Sequence, residues 1–137
     1  MHRLVLSQLM HSTRILLILT GLVELATGLA LLFMPSLVIG LLLGSRDVHV
    51  ETEAVGRVCG AALVAIGLAC WWARSDRGSS TQQGVLRAVL VYNVGVTTVL
   101  GYAGLTMEPI GGALWPVVML HASLAVWCVA CIGPTRE

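Results

Sequence analysis

The chain contains no lysine, and only 11% of its 137 residues are charged. Soluble globular domains carry about 25% charged residues, so a water-solvated globule is excluded. A net charge of +1 leaves no basic surplus for a nucleic-acid partner. All eight basic residues are arginine, a composition that points to a GC-rich bacterial genome. Aromatic residues other than tryptophan are also scarce, with one phenylalanine and two tyrosines. No polar stretch is long enough to fold by itself; the segment Arg74–Gly84 (RSDRGSSTQQG) reads as a flexible loop. The short alternating segments of a transmembrane β-barrel are missing as well.

What fills the chain is apolar sequence. Hydrophobic residues make up 57%, and the mean hydropathy is +0.90. A helix needs about 20 apolar residues to cross a hydrocarbon core about 30 Å thick. Four runs reach that length, at 15–33, 54–73, 85–105 and 113–132. The expected fold is all-α, an integral membrane four-helix bundle forming a single transmembrane domain over 1–137. The first run is longer than a signal-peptide core, contains Glu24, and ends at Phe33-Met34-Pro35-Ser36 without a small-x-small cleavage pattern. It reads as a retained span.

Pro35 stops or kinks that span, and Ser36–Leu43 (SLVIGLLL) is apolar but too short to cross. It is expected to lie at the interface as a half-helix ending at Gly44. Residues 1–13 are expected either to lie on the membrane surface or to extend the first helix. With four spans, the two termini and the loop after the second span share one side. That side holds Arg3, Arg14, Arg74, Arg77, Arg87 and Arg136; the other holds Arg46 and Arg57. The positive-inside rule then puts both termini in the cytoplasm, with the protein in a bacterial inner membrane. Trp71 and Trp72 at one end and Trp115 at the other fit an interfacial belt.

Two ionisable residues stand in the middle of apolar runs, Glu24 in the first span and His121 in the last. A charge at the bilayer centre costs roughly 2.5–3.5 kcal/mol on insertion scales, so each needs a partner or a task. Glu24 lies ten residues beyond Arg14 and His121 ten residues before Cys131, so both fall near the midplane. Asn93, counted six residues from Arg87, is expected nearer the inner surface, beside Tyr92.

Each span also shows a candidate inward stripe. These are Gly21, Glu24, Thr27, Gly28 and Leu31 in the first, and Gly56, Gly60, Val64 and Gly67 in the second. In the third they are Asn93, Thr97 and Gly101, and in the fourth Leu114, Val117, His121, Leu124 and Cys128. Glu24, Tyr92, Asn93, His121 and Thr27 are therefore the candidate residues for binding a ligand or coupling a proton. The structural alternative is that Glu24 bonds His121, Asn93 or Thr27 and only fixes helix register. A single intramembrane histidine cannot make a bis-histidine haem site, and no metal site or cofactor is assigned. Arg57, near the end of its span, is expected to meet Glu51, Glu53 or a lipid phosphate.

Cys128 and Cys131 form a C-V-A-C motif, with Cys59 and Cys70 elsewhere. A four-helix bundle with CxxC resembles the vitamin K epoxide reductase and disulfide-forming membrane proteins. Those proteins place the pair at the exoplasmic end with partner cysteines in a loop. Here the pair falls at the expected cytoplasmic end and no loop cysteine exists. Buried apolar packing is the expected role.

The run GLVELATGLALLF (Gly21–Phe33), Pro35 with the apolar segment to Gly44, RVCGAALVAIGLA (Arg57–Ala69), and the last span with LWP (Leu114–Pro116) and His121 resemble the DoxX-like small four-span bacterial membrane proteins. The likeness is one of layout over most of the chain. It implies a four-helix bundle in the inner membrane, sometimes beside oxidoreductases or quinone-linked systems. A second resemblance is to the small multidrug resistance transporters, whose first span carries a glutamate that exchanges protons for cationic drugs in a dimer. Glu24 would take that role, although the half-helix, His121 and the sparse aromatic residues depart from the pattern.

Three functions are therefore carried forward. The first is a non-enzymatic protein with a midplane pocket for a quinone or lipid, or an accessory subunit or homo-oligomer in a membrane complex. The others are a proton-coupled transporter using Glu24 and a thiol oxidoreductase using Cys128 and Cys131.

Overall fold

The computed structural model describes residues 2–45, 47–76 and 78–132, with only the backbone for 2–10. Arg46, Arg77 and the tail 133–137 with Arg136, used in the charge count, lie outside the described residues, as does the side chain of Arg3. The described chain is all helical: α1 (His2–Phe33), α2 (Pro35–Leu43), α3 (Val50–Ala73), α4 (Ser80–Thr106) and α5 (Leu114–Cys131). Four of them, at His11–Phe33, Val50–Ala73, Ser80–Thr106 and Leu114–Cys131, are long and apolar enough to cross a membrane. The protein is thus an all-α membrane four-helix bundle with one short extra helix. The N-terminal residues continue the first helix rather than forming a separate surface segment.

The bundle is built from two antiparallel pairs, α1 with α3 and α4 with α5, joined chiefly through α1 and α5. The first pair is closed by glycine. A β-carbon on Gly28 would stand 2.7 Å from the Gly60 carbonyl oxygen, and one on Gly67 would stand 2.9 Å from that of Gly21. The two contacts are a heptad apart on both helices. Bilayer lipid offers no hydrophobic drive for helices to associate, so close backbone approach and dispersion contacts supply it.

α2 starts at Pro35, whose missing N–H is no loss at a first helical position, and ends at Gly44 with φ of 72°. The orphan carbonyls of its last turn are taken up from elsewhere. Gly111 N–H donates to Leu42 at 3.1 Å and Ala113 N–H donates to Leu41 at 3.0 Å. Ser36 Oγ donates to Glu53, which also receives Arg57 at 3.5 Å. The expected Arg57–Glu53 pair is present, and the half-helix is pinned to α3 and to the α4–α5 connection.

At the opposite end, a core of Leu16, Leu17, Cys70, Ala73, Leu86, Val89, Leu124, Cys128 and Cys131 fills the space between all four spans. Gln82 closes the α3–α4 turn by donating to the Ala73 carbonyl and accepting from Gly78 N–H, both at 3.0 Å. Trp127 Nε1 donates to Ser12 Oγ at 2.8 Å, tying α5 to α1. Arg74 lies over the Trp71 ring, 3.6 Å from its centroid, and donates to the Trp71 carbonyl.

Packing is unequal along the bundle. The buried residues of α4 are Gln82, Leu86, Val89 and Asn93, and from Val94 to Thr106 none is buried. α4 still meets α5 there, where a β-carbon on Gly104 would stand 2.8 Å from Leu114. Beyond Asn93, then, α4 keeps its partner α5 while burying little against the α1–α3 pair.

Candidate functional site

The polar residues meet where that apolar core stops. Glu24 comes from α1, Tyr92 and Asn93 from α4, and His121 from α5. Tyr92 Oη donates to Glu24 Oε2 at 2.9 Å. Asn93 Oδ1 and His121 Nδ1 are 2.8 Å apart. The Tyr92 and His121 rings meet edge to face with centroids 5.7 Å apart. Glu24 is 1% exposed, Asn93 0% and His121 6%, so the cluster is shielded by protein rather than turned towards acyl chains.

Local sequence explains how one helix serves two neighbours. Consecutive helical residues project about 100° apart. Tyr92 therefore reaches towards α1 while Asn93 reaches towards α5. Asn93 also donates from Nδ2 to the Val89 carbonyl one turn back at 2.8 Å, which holds its amide in place.

The expected direct bond from Glu24 to His121, Asn93 or Thr27 is not made; Tyr92 stands between Glu24 and the histidine. Asn93 also lies deeper than its count from Arg87 implied. Ser79 caps α4, its hydroxyl accepting from Gln82 N–H at 3.0 Å, so the helix starts at Ser80 and Arg87 sits well inside it. Thirteen residues from Ser80 place Asn93 about 20 Å along the axis, level with Glu24 and His121. Thr27 is half-buried and forms no side-chain bond within the cluster. On α5 the buried stripe runs through Val118 rather than Val117. On α4, Thr97 and Gly101 are only half-buried.

A further residue, Thr20, belongs beside these. It lies one turn before Glu24 on α1, is 0% exposed, and its Oγ1 has no partner. Glu24 Oε1 is likewise enclosed and unpartnered, as is Thr97 Oγ1 one turn beyond Asn93. An enclosed polar atom without a partner costs about 1–3 kcal/mol. Thr20 and Glu24 lie one turn apart on one face of α1, and such atoms mark where an ordered water or a ligand group belongs. Thr20 carried a signal in the sequence, since it falls on the Glu24 stripe four residues earlier.

The four cysteines are free thiols. Cys70, Cys128 and Cys131 are buried and Cys59 is exposed. Cys131 Sγ donates to Ser12 Oγ at 3.6 Å, and all three buried thiols belong to the apolar core. Among the described residues, no group of three or more histidine, cysteine, aspartate or glutamate side chains could hold a metal ion.

The class these features define is a four-helix membrane protein with a shielded, partly unsatisfied polar cluster midway along its helices. No protein-family model, curated protein or solved structure matches the chain.

Proposed function

We propose that this protein binds the polar head of a small lipophilic molecule, a quinone or a lipid, at the Glu24–Tyr92–Asn93–His121 cluster. It acts without catalysing a reaction, alone or as an accessory subunit of a membrane complex. The observation that carries this reading is Glu24 Oε1, enclosed and without a partner beside an otherwise ordered cluster. The uneven packing supports it. Apolar core closes one side of the cluster, whereas on the other side no residue of α4 from Val94 onwards is fully buried. A lipophilic molecule would enter from that half with its head towards Glu24. The arginine distribution and the DoxX-like layout support a bacterial inner membrane with both termini in the cytoplasm.

The test is native mass spectrometry of protein purified in mild detergent, with Glu24→Gln as the comparison. A specific hydrophobic molecule retained by the wild type and depleted in the variant is expected. Identical, non-specific lipid on both proteins would overturn the reading.

Proton-coupled transport through Glu24 is the second reading, favoured by the same free carboxyl oxygen. It needs access from both sides, so the core around Leu16, Leu17 and Leu86 would have to open. Glu24→Gln should then abolish proton-dependent flux in proteoliposomes while the protein stays folded; unchanged flux would end the idea.

A further inference from the structure

The hydrogen bonds around Asn93 fix which nitrogen of His121 carries its proton. Asn93 Nδ2 donates to the Val89 carbonyl at 2.8 Å, and a carbonyl can only accept. The amide is thereby oriented with Oδ1 towards the ring, 2.8 Å from His121 Nδ1. An amide oxygen can only accept, so Nδ1 must be the donor. In the neutral imidazole the remaining nitrogen, Nε2, then holds a lone pair and acts as an acceptor. Nothing in the described protein donates to it, since the bond to Asn93 is the one His121 makes.

The cluster thus presents an unpartnered polar atom on each side of Tyr92. One is His121 Nε2, on the ring that meets Tyr92 edge to face. The other is Glu24 Oε1, on the carboxyl group whose second oxygen receives the Tyr92 hydroxyl. The Tyr92 hydroxyl hydrogen is committed to Glu24, and one Asn93 amide hydrogen to Val89. A carbonyl or ether head brings no hydrogen to His121 Nε2 and would leave that acceptor unfilled.

We propose that the site selects lipophilic molecules whose head carries hydroxyl hydrogens, with one hydroxyl donating to His121 Nε2. Alcohols, phenols and the dihydroxy, reduced form of a quinone fit; ethers and the carbonyl form do not. This rests on the binding function proposed above and narrows its ligand class.

The direct test compares two probes of one skeleton, para-nonylphenol and its methyl ether, by equilibrium dialysis against protein in nanodiscs, corrected with empty nanodiscs. The phenol should bind about tenfold more tightly, because a site built around a substrate hydroxyl rejects the analogue that lacks it. In His121→Phe, which keeps a ring of similar size, the two probes should bind alike. Equal binding to the wild type, or tighter binding of the ether, would overturn hydroxyl selection while leaving lipophilic binding standing. Failure of both probes to bind would overturn both readings. Independently of any loss of folding in the variant, nitrogen NMR of histidine-labelled protein lacking His2, His11 and His49 should show a proton on Nδ1 of His121. A proton on Nε2 instead would overturn the inference.

Discussion

Tyr92 donates a 2.9 Å hydrogen bond to Glu24 across 68 positions of sequence, and so joins the α1–α3 pair to the α4–α5 pair. Its neighbour Asn93 turns to His121 on α5. One dipeptide on one helix therefore holds both Glu24 and His121.

Removing the tyrosine hydroxyl leaves both Glu24 oxygens without a partner. Tyr92→Phe should destabilise the protein by about 1–3 kcal/mol. Thermal unfolding in detergent measures this. The double variant Tyr92→Phe with Glu24→Leu should recover part of the loss, because no buried polar atom is then stranded there. A double variant less stable than the sum of the single changes would show that the pair is not coupled in this way.

The glycine contacts between α1 and α3 leave no space for a side chain. Gly60→Leu should force the helices apart, because even a β-carbon there would stand 2.7 Å from the Gly28 carbonyl oxygen. Overpacking of this kind costs about 1–3 kcal/mol or more. Gly95→Leu on α4 should be tolerated, since nothing lies within 4 Å of a β-carbon at that position. Unfolding midpoints of the two variants, measured side by side, decide the matter.

Ser12 accepts from both Trp127 Nε1 and Cys131 Sγ. Ser12→Ala should cost about 0.5–1.5 kcal/mol. It should also change the fluorescence of Trp127 in a variant whose other three tryptophans are replaced by phenylalanine. Unchanged emission would show that the indole does not depend on this hydroxyl.

Thiol accessibility separates core packing from redox chemistry. A membrane-permeant maleimide should label Cys59 in the folded protein and reach Cys70, Cys128 and Cys131 only after denaturation. Replacing Cys128 and Cys131 with serine should lower stability without abolishing ligand binding. Abolished binding in a variant that still folds would instead favour the thiol oxidoreductase reading.

Several features were legible before any coordinates. The lengths of the apolar runs anticipated the four spans, and Pro35 and Gly44 bracketed the short helix. Glu24, Asn93 and His121 stood out because polar side chains are costly inside apolar helices. Counting Asn93 from Arg87 sets its level too shallow, because Ser79 caps the helix a full two turns before Arg87. Thr20 and Thr27 both lie near Glu24 on one helix, and helical spacing alone does not say which is enclosed.

Sequence by itself determined that this chain forms membrane-length helices, because the hydrophobic cost of any other arrangement is paid residue by residue along the chain. It also determined which polar groups would be stranded at mid-depth. Only the tertiary structure decided who meets whom: Tyr92 with Glu24, Asn93 with His121, and no partner for Thr20. Those pairings depend on helix rotation and on the closeness that Gly21, Gly28, Gly60 and Gly67 permit. Hydrogen bonds act over tenths of an ångström, a scale on which sequence spacing carries no information.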